Sequence, residues 1–232
     1  MLELEGVNTF YGETHVLFDM NLHIDEGEVV SIVGRNGVGK TTTLRSILNL
    51  AEVEEGTIRF QGEDITGEPT DEIAARGIGY VPEEREIFAG LSVHENLKIA
   101  GTNVDNRAER IDAAMDRFPK LRELKDNKGG HLSGGEQQML AIARALVKDN
   151  DILLIDEPTE GLAPKIAEDV RDAITDLKGE KTILLVEQST TLVRQISDRI
   201  YGMVDGEVVF EGEAGTEETK QSVEDVLSLS TA

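Results

Sequence analysis

Apolar positions along the chain recur with two different periods, and the switches between them divide it into elements. Met1-Leu-Glu-Leu-Glu alternates apolar and polar residues, the period of a half-buried strand. Residues 2–7, 15–24 and 57–60 read together as antiparallel strands. Val29–Val33 and Ile152–Ile155 are nearly unbroken apolar runs, the pattern of parallel strands covered on both faces. Residues 78–81, 182–186, 200–204 and 208–210 complete the predicted strands. Helical spacing follows Val33 over residues 42–48 and recurs at Ile111, Ala114, Met115 and Phe118, where Pro119 stops a helix begun at Asn106. Ser92-Val-His-Glu95 has the form of a capping box opening another helix. Further helices are expected over 134–147, 164–177 and, more polar, 217–229. The pattern predicts an α/β fold with an antiparallel β subdomain and a helical insert at about 84–146, all within one domain spanning 1–232.

Chemistry enters where two predicted strands end. The run Val29–Val33 leads into Gly34-Arg35-Asn36-Gly37-Val38-Gly39-Lys40-Thr41-Thr42, a P-loop spacing placed between a strand and a helix, as the motif requires. Glycines at 34, 37 and 39 let successive backbone N–H groups converge on phosphate oxygens. Lys40 would reach the β and γ phosphates of a nucleotide, and the Thr41 hydroxyl would bind magnesium. The run Ile152–Ile155 ends in Asp156-Glu157, where ligands bind in parallel sheets. Asp156 would hold magnesium, and Glu157 would orient and polarise an attacking water. A solvated strand end is the bland alternative for the two acids taken alone.

Leu132-Ser133-Gly134-Gly135-Glu136-Gln137 opens a predicted helix, and Ser133 with Glu136 also fits an ordinary capping box. With the P-loop, this string resembles the signature of the ATP-binding cassette (ABC) family. The resemblance implies a P-loop NTPase fold of ABC type, ATP hydrolysis with Mg2+, and contact of Ser133, Gly134 and Gly135 with the nucleotide of an opposite cassette. It also implies that Tyr11, in Thr9-Phe10-Tyr11-Gly12, stacks on adenine, whereas His15 reads as an ordinary surface histidine. More closely still, residues 77–88, 156–164 and 182–188 resemble ATPase subunits of branched-chain amino acid importers, the LivF type. Three positions depart from the general ABC pattern: Glu83 for glutamine, Gln188 for histidine and Ala163 for aspartate. Glu83 offers a charged oxygen to magnesium or water, and Gln188 can donate to the γ-phosphate without titrating. Ala163 cannot make the cross-subunit hydrogen bonds of the family's aspartate.

The implied partners are a second ATPase subunit (a different chain is favoured), two transmembrane permease subunits and, indirectly, an extracellular solute-binding protein. Ile87, Phe88 and Leu91 would meet the permease, although apolar residues in such a loop also serve as half-buried core. An ATPase subunit of a urea or short-chain amide importer is the main alternative, and a non-transport ABC protein a more remote one. No stretch reaches the ~20 apolar residues of a membrane-spanning helix, and no basic start marks a leader. Peripheral attachment at the cytoplasmic face of the cell membrane is therefore expected. Zero cysteines remove disulfides and thiolate metal sites.

With 46 acids against 23 bases the net charge is −23, which opposes binding to a nucleic-acid backbone. Such an acid excess suits a salt-rich cytosol, where counterions screen self-repulsion. Thermal stability and ATPase rate are accordingly expected to rise with KCl into the molar range. Full activity at low salt, lost at high salt, would overturn that halophilic reading.

Overall fold

The computed structural model describes residues 1–102, 104–148 and 150–228. Four strands form an antiparallel sheet in the order β2-β1-β4-β5: β1 (Leu2–Tyr11), β2 (Thr14–Ile24), β4 (Glu52–Phe60) and β5 (Glu63–Asp64). A second sheet runs β10-β9-β3-β8-β7-β6. Its parallel part comprises β9 (Arg199–Val204), β3 (Val29–Val33), β8 (Thr182–Glu187), β7 (Ile152–Asp156) and β6 (Ile78–Val81), with β10 (Glu207–Glu213) antiparallel at the edge.

The double-sided burial predicted for β3 and β7 is met by two different layers. In β7, Ile152 and Leu154 pack toward the antiparallel sheet with Leu4, Ile58 and Phe60, while Leu153 and Ile155 pack toward helices. In β8, Leu184 and Val186 face the first layer and Ile183 and Leu185 the second. Because side chains alternate along a strand, an apolar run is what a sheet sandwiched between two covers requires. Helix α1 (Lys40–Ile47) lies in the first layer through Leu44 and Ile47.

After β6 the chain enters the helical insert: α3 (Val93–Ala100), α4 (Arg107–Arg117), α5 (Pro119–Glu123) and α6 (Gly134–Val147). Ser92 and Ser133 each close a reciprocal capping box, with Glu95 and Glu136. Pro119 ends α4 as expected but also occupies the first turn of α5, where its missing N–H costs nothing. Helix α7 (Pro164–Thr175) follows β7, and α9 (Glu217–Ser228) ends the described chain; the last residue of the expected helix, Leu229, lies outside the described residues.

Besides α5, two short helices escaped the sequence pattern, α2 (Thr70–Ala75) and α8 (Thr190–Ile196). Six or seven residues are too few to show a helical period, and only Ile73 of α2 is buried. Strand β4 starts at Glu52, five residues before the expected 57, because its first half is polar and pairs along β1 with one face open.

Leu154 is fully buried at the centre of this arrangement. Leu154→Ala is expected to lower unfolding free energy by about 2–5 kcal/mol in a urea titration; a loss under about 1 kcal/mol would mean the layer repacks around β7.

Candidate nucleotide site

The P-loop runs from the end of β3 into α1, and two of its glycines are there for their torsions. Gly37 and Gly39 have φ of 86° and 108°, closed to most side chains. Gly34 differs: its φ is ordinary, and a Cβ there would lie 2.6 Å from the Met203 carbonyl oxygen, so close approach rather than torsion demands glycine. Val38 buries its side chain in the core, and its carbonyl accepts from Gly206 N–H, which fixes the loop's far side.

Lys40 is 3% exposed, and its ammonium is held by the carbonyls of Gly34 (3.0 Å) and Arg35 (3.1 Å) and by Glu157 Oε1 (2.9 Å). The Thr41 hydroxyl donates to Asp156 Oδ1 at 3.1 Å, and Tyr80 Oη donates to Asp156 Oδ2 at 3.3 Å. Asp156 and Glu157 therefore serve different neighbours, as successive residues at a strand end must. Glu157 sits at φ 42°, a left-handed torsion that a non-glycine residue adopts only when its surroundings impose it. A cleft of about 280 Å³ opens beside these groups, lined by Val16, Asn36, Gly37, Thr42, Glu83 and Glu160 among others.

Burial pushes the Asp156 carboxyl up to about 6, against the bonds from Thr41 and Tyr80, with the Glu157 and Glu83 charges adding to the rise. Burial also works against ionisation of Glu157, but bonds from Glu160 and Lys40 outweigh it and hold Glu157 below the usual carboxylate range. Glu160 is pushed up to about 7, chiefly by its hydrogen bond to Glu157.

Several expected residues lie elsewhere. Tyr11 does not line the cleft; it is 42% exposed at the end of β1, and its hydroxyl takes Arg45 of α1. Gln188 is exposed, outside the cleft lining, with its backbone N–H on Glu187. Ser133, Gly134 and Gly135 are absent from the lining as well. Gly135 has a packing reason of its own, since a Cβ there would fall 2.0 Å from Ile166 Cγ2 on α7.

His15 is not an ordinary surface histidine. Its ring is stacked on Phe10 at 4.1 Å and lies against Phe18 at 3.9 Å, so the β1–β2 hairpin is wedged shut behind Tyr11. Sequence reasoning also missed Glu187, a buried carboxylate that accepts from the Thr159 hydroxyl (2.6 Å) and from the N–H groups of Gln188 and Ser189. An acid closing an otherwise apolar strand was its signal.

The Asp156 shift has a measurable sign. Its carboxyl binds a proton more tightly folded (about 6) than unfolded (about 3.9), so its ionisation removes stability as pH rises between those values. Asp156→Asn is expected to flatten that part of the stability profile in nucleotide-free chain; an unchanged slope between pH 4 and 6.5 would exclude Asp156 as its source.

The family profile for "ABC transporter" matches residues 17–160, from β2 through the loop after β7. A probable branched-chain amino acid transport ATP-binding protein, LivF of Archaeoglobus fulgidus, is 45% identical over 218 residues, covering 92% of each chain. The high-affinity branched-chain amino acid transport ATP-binding protein BraG of Pseudomonas aeruginosa is 39% identical over 212 residues, 90% of this chain and 91% of its own. Among solved structures, an ATP-binding cassette of an ABC transporter in its ADP conformation superposes with a TM-score of 0.84 at 28% identity, over 97% of this chain and 95% of that one. The fold, the P-loop between β3 and α1 and these likenesses agree: the chain belongs to the ABC transporter family, as an ATP-binding subunit that hydrolyses ATP to drive transport.

Proposed function

We propose that this chain energises uptake of branched-chain amino acids, working with permease subunits from the cytoplasmic face of the cell membrane. The solute assignment rests on the similarity to LivF and BraG over nine-tenths of the chain. Among the described residues no helix is long and apolar enough to cross a membrane, so the reading assigns the solute path to the permeases. A urea or short-chain amide importer is the competing reading.

The observation that carries the chemistry is the buried Lys40 between two carbonyls and Glu157, directly beside the open cleft. Triphosphate entering that cleft offers Lys40 better-charged oxygens, and exchange of partners releases Glu157. Freed, Glu157 holds and polarises the attacking water, while the N–H groups of residues 34–42 bind phosphate at the start of α1. The Thr41 hydroxyl and Asp156 carboxylate, already bonded to each other, are hard oxygen donors that fit magnesium; Thr41 and Glu83 line the cleft, and Asp156 is buried behind Thr41. Magnesium bound there would neutralise charge on the transferred phosphoryl group. Tyr11 would turn from Arg45 onto adenine, and Gln188 would donate to the γ-phosphate. Since the signature turn Ser133–Gly135 does not line the chain's own cleft, it is assigned to the nucleotide of a second cassette, a different chain being favoured by the resemblance and compatible with Ala163.

A groove of about 410 Å³ between the sheets' edge and the insert supports permease docking. Leu50, Ile78, Pro82, Ile99 and Ala141 give it an apolar floor, and Arg85, Arg144 and Lys148 line it against a single acid, Glu86. In so acidic a chain this local reversal of charge suits a short amphipathic helix carrying carboxylates. Of the three residues expected to meet the permease, Phe88 is 42% exposed and lies under the Arg144 guanidinium, while Ile87 packs against the core, and none of the three lines the groove.

Copurification with branched-chain amino acid permease subunits, followed by ATPase assay, tests the reading. Leucine, isoleucine or valine, presented with the binding protein, should stimulate hydrolysis, and Glu157→Gln should cut it by roughly 10²–10⁴-fold while ATP still binds. Stimulation by urea instead would transfer the assignment to the amide importers.

A further inference from the structure

Both oxygens of the Asp156 carboxylate are held from one face of α1. Thr41, in the first turn of the helix, donates to Oδ1 directly at 3.1 Å. Arg45 lies four residues further, on the same face, and reaches Oδ2 through an intermediary. Its guanidinium donates to the Tyr80 hydroxyl near the end of β6, and that hydroxyl donates to Asp156 Oδ2 at 3.3 Å. Burial and the Asp156 charge push the Tyr80 phenol above its usual range, so the hydroxyl keeps its proton and stays a donor. A phenol oxygen that accepts from a guanidinium is polarised by it and becomes the stronger donor.

Arg45 is not committed to Tyr80. Its stronger hydrogen bond runs to the Tyr11 hydroxyl at the end of β1. The guanidinium therefore stands between two phenols, one assigned to the base and one behind the carboxylate assigned to magnesium. Both partners are neutral, so neither holds Arg45 by charge. Arg45 and Tyr11 are exposed, so the bond between them is exchanged without disturbing the core. Tyr80 differs, because it is packed into the layer that α1 shares with the antiparallel sheet.

We propose that Arg45 is a positioning residue that joins base binding to the metal-holding carboxylate. In the empty chain Tyr11 draws the guanidinium away from Tyr80. Once Tyr11 turns onto a base, Arg45 passes to Tyr80 alone and the Tyr80–Asp156 bond tightens. Oδ1 then stays beside Thr41, which lines the cleft. A phosphate chain without a base leaves Tyr11 on Arg45, and Asp156 is held less firmly. The chain thereby discriminates a metal-bearing nucleotide from the same phosphates alone. This inference rests on the reading of Tyr11 as the base's platform and of Thr41 and Asp156 as metal donors.

The test uses the whole chain with ADP, and with inorganic diphosphate as the same phosphates lacking a base. Calorimetric titration with and without Mg2+ gives the factor by which Mg2+ tightens each ligand. Each ligand's own affinity for Mg2+ in solution cancels when variants are compared with the unmodified chain. In Arg45→Ala the factor for ADP should fall by at least about fivefold, the small end of couplings between sites, while that for diphosphate stays within about twofold. Tyr11→Phe keeps the ring but leaves Arg45 to Tyr80, so its factor for diphosphate should rise by at least about fivefold. Adding Tyr80→Phe to Tyr11→Phe should cancel that rise, and a rise that survives overturns the proposal. An unchanged ADP factor in Arg45→Ala also overturns it, as does an equal fall for both ligands, which marks plain damage to the metal site. So does a diphosphate factor that Tyr11→Phe leaves in place. If Tyr11→Ala does not weaken metal-free ADP binding, the base reading itself fails and takes this inference with it.

Discussion

One buried ammonium organises the centre of the molecule. Lys40 has almost no solvent to share its charge, so it must be surrounded by oxygens, and the chain supplies them from two places. Two are carbonyls of the loop that leads to it, and the third is the Glu157 carboxylate at the end of β7. The pair holds the P-loop and the β7 edge in register across the sheet, with Thr41 and Asp156 making a parallel tie one residue along. Removing one partner would leave the other charge buried and unmatched, far more costly than the net worth of the pair.

The sheet that carries these ends is positioned by packing from both sides. Alternate residues of β7 and β8 enter the layer shared with the antiparallel sheet and the layer shared with α6 and α7. Such a strand has no freedom to slip, because a shift by one residue exchanges its two faces and ends its carboxylates elsewhere. The site's geometry is in this sense a product of the core, and polar strand ends gather where the core stops.

Sequence pattern made the larger part of this legible. Long periodic segments, the capping boxes at Ser92 and Ser133 and the strand–loop–helix context of Lys40 carry strong local signals, and each stands where it was expected. What escaped depends on partners distant in the chain. The bond between Glu160 and Glu157, the seat of Glu187 under Thr159 and the stack of His15 between Phe10 and Phe18 have no local period. Gly34 and Gly135 show the converse: the residue type was singled out from its motif, yet what it avoids is the Met203 backbone in one case and Ile166 in the other.

The close fit of Gly135 against Ile166 reaches further than the packing of two helices. Ile166 sits in the first turn of α7, and the stretch just ahead of it, 157–163, begins with the acid that grips Lys40. A single added methyl at 135 would press on both ends of this arrangement at once. The turn that opens α6 and the loop carrying Glu157 are thus joined through one helix-to-helix contact, so displacement of either is felt by the other without any second molecule to relay it.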